Sequence, residues 1–100
     1  MMETLAIESL TAEEVRALDL RQQVDALSDC LHAGKELGRE LITATSQLAT
    51  ARVAALRGPS DDTKSAVIMR KAILDTIALR ARSLREMRSI LQSLIRAASI

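Results

Sequence analysis

The sequence predicts an all-α protein: two long helices folded into an antiparallel hairpin, with room for a short N-terminal helix, assembling into a helical bundle. Three observations carry that expectation. In the first half, Leu20, Val24, Leu27, Leu31, Gly34, Gly38, Leu41, Thr45 and Leu48 follow one another in steps of four and three. In the second half, Ala66, Ile73, Ile77, Leu84, Met87, Leu91, Leu94 and Ala98 keep the same rhythm, with Arg70 and Arg80 filling its two gaps. Between them stands the one strong stop in the chain, Gly58-Pro59-Ser60-Asp61-Asp62. A stripe of this period makes a helix pack lengthwise against another helix, and a short turn sets the two antiparallel.

The first helix begins at a well-marked point. Thr11 is placed to cap it, Glu14 to reach back three residues, and Leu10 to staple onto Val15. Glu13 and Glu14 sit where the helix dipole favours negative charge. The spacing predicts one continuous helix over about 12–57, because the heptad phase crosses Gly34 and Gly38 without a slip. A kink at the glycines is the competing expectation. Whether residues 2–9 form a preceding helix is left open. Gly58 and Pro59 end the first helix, the turn covers 58–61, and Ser60 or Asp62 caps a second helix over about 62–98.

Charge agrees with a hairpin. Residues 1–58 hold nine acids and six bases, and residues 59–100 hold four acids and eight bases. Folding at the turn brings Arg80, Arg82, Arg85 and Arg88 towards residues 25–40. Each exposed pair contributes well under about 1 kcal/mol, so the pattern biases orientation rather than holding the fold.

One hundred residues make a single small domain. The formal net charge of +1 and the absence of Phe, Tyr and Trp argue against a nucleic-acid binder, which uses basic patches and stacking rings. No apolar run approaches the roughly 20 residues that span a bilayer. The start carries Glu3 and Glu8 and no basic region, unlike a secretory signal peptide. The expected location is the cytoplasm, or outside the cell by a route without a cleaved signal. Cys30 is the only cysteine, so no internal disulfide forms.

Candidate chemistry is thin. Cys30 and His32 point roughly 200° apart on a helix, which suits neither a zinc site nor a nucleophile pair. The pairs Asp25/Asp29 and Glu36/Glu40 lack the Glu-x-x-His partners of a di-iron bundle and read as solvated faces. The run Arg80, Arg82, Arg85, Arg88 does not form one tight face, so it reads as a helix flank rather than a phosphate site. No arginine, lysine and glutamate set matches the small helical chorismate mutases. The expectation is a protein without catalytic activity, cofactor or metal.

The second half resembles a known group. Pro59-Ser60-Asp61-Asp62, followed by one long helix ending Ile90-Leu91-Gln92-Ser93-Leu94-Ile95, looks like the needle and inner-rod subunits of type III secretion and the related flagellar rod adaptor. Met69-Arg70-Lys71-Ala72 also looks like a stretch of the adaptor. The likeness covers about 40 residues and lacks the Tyr and Asn that needle helices carry. It implies a C-terminal helix that packs in a polymer. Hairpin-shaped export chaperones of the same systems fit the pattern too.

The apolar residues outside both stripes require a further partner. Leu18, Leu37, Ile42 and Leu56, with Ile68, Leu74, Leu79, Ile90 and Ile95, are too many to leave wet. The expected partner is a second copy or another helical protein. The expected interface comprises Leu20, Val24, Leu27, Leu31, Gly34, Gly38, Leu41, Leu48, Ile73, Ile77, Leu84, Met87, Leu91 and Leu94. Gly34 and Gly38 are expected at the closest helix–helix approach, where Gly38→Leu would overpack. Two classes of function follow: a structural or assembly subunit, or a small chaperone or anti-activator that masks a partner's helix.

Overall fold

A computed structural model describes residues 9–99. It contains a short helix α1 (Ala12–Arg16) and two long helices, α2 (Leu20–Arg57) and α3 (Asp61–Ala98), with no strand among the described residues. The long helices form an antiparallel hairpin in a rod of 60 × 20 × 18 Å. The helix left open over residues 2–9 falls outside the described residues except for Ser9.

α1 begins as its capping pattern requires. The Glu14 N–H donates to Thr11 Oγ1 at 3.1 Å and the Thr11 N–H to Glu14 Oε1 at 3.4 Å. It ends after five residues, which corrects the single helix expected over 12–57. A second capping box makes the break: the Gln22 N–H donates to Asp19 Oδ1 at 2.8 Å, and the Asp19 N–H to Gln22 Oε1 at 3.0 Å. Gln23, buried at 7% exposure, then donates from Nε2 to the Leu18 carbonyl at 3.0 Å and pins the bend. The bend turns α1 back over α3, where Val15 becomes fully buried.

α2 runs unbroken through Gly34 and Gly38. It stops at Gly58, whose φ of −142° is not left-handed, so the stop comes from Pro59 and the next cap rather than from glycine's special freedom. The Thr63 N–H donates to Ser60 Oγ at 3.1 Å, and Thr63 Oγ1 donates back to the Gly58 carbonyl at 3.2 Å. Ser60 is thus the cap, and α3 starts at Asp61.

The seam between the long helices is partly the expected one. On α3 it uses Ile77, Leu84, Met87 and Leu91, all buried, with Leu94 partly buried beside them. Ile73 departs from it at 39% exposure. On α2 the seam is shifted. Ala26, Cys30, Ala33, Leu37, Ala44 and Leu48 are buried, whereas Leu20, Val24 and Leu31 are 45–47% exposed. Leu27 and Leu41 are partly buried at its edge, and of the expected stripe only Leu48 is in the core. The reason is complementarity of size: small Ala and Cys residues on α2 face the large Leu84, Met87 and Leu91 on α3, which lets the helices close without voids.

Burial is unequal along the rod. The open end, where α1 adds a third helix, holds Val15, Ala26, Cys30, Ala33, Leu37, Leu84, Met87 and Leu91. The end near the turn buries only Ala44, Leu48 and Ile77, and leaves Ile42, Val53, Leu56, Ile68, Met69 and Ile73 exposed. Across the pair, Arg80 Nη1 lies 3.7 Å from Glu40 Oε2, and Arg70 Nη1 donates to Gln47 Oε1 at 3.0 Å. Arg82 instead pairs along its own helix with Glu86 at 3.6 Å.

Candidate interaction surfaces

A helix turns roughly 100° per residue, so residues just after a seam position and those just before it lie on opposite flanks. On α2, Leu31, Gly34 and Gly38 follow Cys30, Ala33 and Leu37; Asp29, Glu36, Thr43 and Gln47 precede Cys30, Leu37, Ala44 and Leu48. The hairpin therefore has two distinct faces.

The first face carries the stripe of Leu20, Val24, Leu27, Leu31, Gly34, Gly38 and Leu41. Between the helices here lies a shallow groove lined by Cys30, Leu31, Gly34 and Lys35 from α2 and by Ala81, Leu84, Arg85 and Arg88 from α3. A Cβ placed on Gly34 or Gly38 would meet nothing within 4 Å. The glycines are thus not the closest approach within the hairpin, which corrects that expectation. Gly38→Leu has no neighbour inside the hairpin to overpack. What the glycines create is an open shelf on a stripe that keeps its heptad spacing.

The second face carries α1. Leu10 packs against the core, a cleft lined by Leu10, Ala12, Ser83, Leu84, Glu86, Met87 and Ile90 lies between α1 and α3, and a second is lined by Arg16, Ser89, Ile90, Ser93 and Leu94. Asp29, on this flank, is buried at 4% exposure. Towards the turn the same face holds an open groove of about 740 Å³. Ala44 and Ile77 form its floor, Met69 and Ile73 its α3 wall, and Arg39, Glu40, Gln47 and Arg80 its polar rim.

Neither face presents a reactive constellation. Cys30 and His32 separate as the helix geometry demands: the thiol is 3% exposed, and His32 is exposed with Nε2 3.2 Å from Glu36 Oε1. Burial first, then the nearby Asp29 carboxylate, pushes the Cys30 thiol up from its ordinary 9.0 to about 11, and Arg88 offsets this in part. The folded protein therefore keeps its thiol proton between about pH 9 and 11, where the unfolded chain loses one. Stability is full below pH 9 and falls as pH rises towards 11. At pH 8 an aromatic disulfide reagent should modify Cys30 slowly, with fast reaction only on unfolding; a burst of labelling in the folded state would contradict this burial.

Among the described residues, no three His, Cys, Asp or Glu side chains come together in a way that could hold a metal ion. None of the helices is long and apolar enough to cross a membrane. No buried polar side-chain atom among them lacks a hydrogen-bond partner. The two apolar faces are what the sequence alone did not resolve, because both depend on which of two heptad series closes the hairpin. No family model, curated protein or solved structure matches this chain.

Proposed function

We propose that the protein is a non-enzymatic helical assembly subunit whose α2 stripe pairs with the same stripe of a second copy. One observation carries this reading: Leu20, Val24 and Leu31 stay 45–47% exposed at heptad spacing, and the stripe includes two glycines that nothing in the hairpin covers. A heptad stripe is self-complementary about a two-fold axis, so two hairpins meeting on it form a four-helix bundle. Gly34 and Gly38 then let the two α2 backbones approach closely.

The likeness of the Pro59-to-Asp62 turn and the aliphatic end of α3 to needle, inner-rod and flagellar rod-adaptor subunits supports a place in a type III secretion or flagellar export assembly. The alternative role is a chaperone or anti-activator, in which the stripe masks a partner's helix.

Val24→Glu combined with Leu31→Glu tests the surface. Both positions are half-exposed in the hairpin, so the variant keeps its helicity by circular dichroism. In the assembly, four carboxylates at one seam oppose burial, and the mass by light scattering falls to that of a single chain. A double variant with the wild-type mass would overturn the assignment of this stripe. A stoichiometric complex with a second protein, without self-association, would favour the masking role instead.

A further inference from the structure

The basic run on α3 divides in the folded chain. Arg80 Nη1 lies 3.7 Å from Glu40 Oε2, and Arg82 Nε lies 3.6 Å from Glu86 Oε1. Arg85 and Arg88 instead line the groove on the first face together with Lys35. Among the described residues, no ion pair engages any of these three cations. No carboxylate lines that groove, whose apolar part is Cys30, Leu31, Ala81 and Leu84. Arg88 stands close enough to favour ionisation of the Cys30 thiol, so its positive field reaches the apolar floor.

The same imbalance runs along both edges of the exposed stripe. On α2, the residues after Leu20, Leu27, Gly34 and Leu41 are Arg21, Ser28, Lys35 and Ile42. On α3, the heptad neighbours of Arg85 and Arg88 are Ala78, Ala81, Gln92 and Ile95. Neither edge holds an acid. From Leu20 to Leu41 the stripe is about 32 Å long at 1.5 Å per residue.

An apolar stripe of that length and period takes a helix, and cationic edges take carboxylates on that helix's flanks. We infer that the first face docks an acidic amphipathic helix of another protein, with its apolar side over Leu31 and Gly34 and its carboxylates at Lys35, Arg85 and Arg88. A second copy is the poorer match in charge. It brings the same cations and no acid to either edge, so salt screening permits its pairing and an acidic helix displaces it. The inference uses the stripe assigned above as an interface, but it does not require two copies to meet there.

The probes are two labelled synthetic helices of three heptads, both with Leu at a and d. One carries Glu at e and g, the other Lys, and each is titrated with the full chain by fluorescence anisotropy. The Glu helix is expected to bind at least about tenfold more tightly, and to lose affinity several-fold between about 50 and 500 mM salt. Arg85→Gln with Arg88→Gln should weaken it several-fold. Arg52→Gln with Arg57→Gln, both exposed elsewhere on α2, should leave it unchanged. Circular dichroism verifies the helicity of both variants. By light scattering, the Glu helix should leave one chain with one peptide.

Equal affinity for the two helices, or an unchanged affinity in the Arg85→Gln, Arg88→Gln variant, would overturn the inference. Polyglutamate that competes as well as the Glu helix would also overturn it, because the site would then read charge without the stripe. So would an assembly of several chains that keeps its mass with the peptide bound. A chain that is single without peptide and binds the Glu helix refutes self-pairing and supports this inference. A self-associated chain that ignores the Glu helix does the reverse.

Discussion

Replacing Leu91 with Ala lowers the stability of the fold by about 2–5 kcal/mol. Leu91 is fully buried where α1, α2 and α3 meet, in one cluster with Val15, Leu84 and Met87. Removing its isobutyl group costs transfer energy and leaves a cavity that three helices cannot easily collapse. At about 4–8 °C per kcal/mol for a chain of this length, thermal melting should shift down by roughly 10 °C or more. Leu56→Ala is the matched control, since Leu56 is 83% exposed. Its effect should stay within about 0.5 kcal/mol. Similar losses for the two variants would mean that the open end of the rod is not its stable core.

The second large effect distinguishes two adjacent residues. Ala33 is fully buried on the seam, and Gly34, the next residue, has open space where a Cβ would go. Ala33→Leu forces extra volume between closely packed helices and should destabilise by about 1–3 kcal/mol. Gly34→Ala meets no clash inside the hairpin, so in the Val24→Glu/Leu31→Glu background, where two α2 stripes do not meet, it should stabilise by about 1 kcal/mol through helix propensity, with Ala33→Leu compared in the same background. The two melting shifts therefore have opposite signs. Had the hairpin closed on the stripe that includes Gly34 and Gly38, the signs would reverse: Ala33 would tolerate Leu on the surface, and the added Cβ at Gly34 would crowd the contact.

That one-residue offset also marks what can be read from the chain. The Thr11 cap was legible because it is a local device, in which Thr11 and Glu14 satisfy backbone groups within a few residues; after Gly58-Pro59 the sequence left Ser60 and Asp62 as alternatives, and Ser60 is the cap. Continuity through the glycines was legible because the apolar phase did not slip there. So was most of the α3 seam, where Ile77, Leu84, Met87 and Leu91 have no competing series of the same period.

On α2 two series compete, Ala26–Cys30–Ala33–Leu37–Ala44 and Leu20–Val24–Leu27–Leu31. They have the same period and differ by one position. Residue size favours the leucines as core, yet the packing of α3's bulky side chains favours the small residues. Only the partner helix decides between them. The bend at residues 17–19 was hidden for a related reason. Asp19 and Gln22 form a capping box inside an apparently unbroken apolar rhythm, without the glycine or proline that usually announces a stop.

The bend has energetic weight as well. Each cap contributes about 1 kcal/mol, and Gln23 loses its partner, the Leu18 carbonyl, if the helix runs straight. The straight helix would in turn withdraw Val15 from the core. Local capping and tertiary burial thus favour the same geometry.

The most direct measurement is the mass of the native protein in solution by light scattering, at tens of micromolar. The exposed α2 stripe predicts a species of at least two chains, a multiple of the 10.9 kDa subunit, that loses mass on dilution. A single sharp species of 10.9 kDa across the whole range would contradict self-assembly through that stripe.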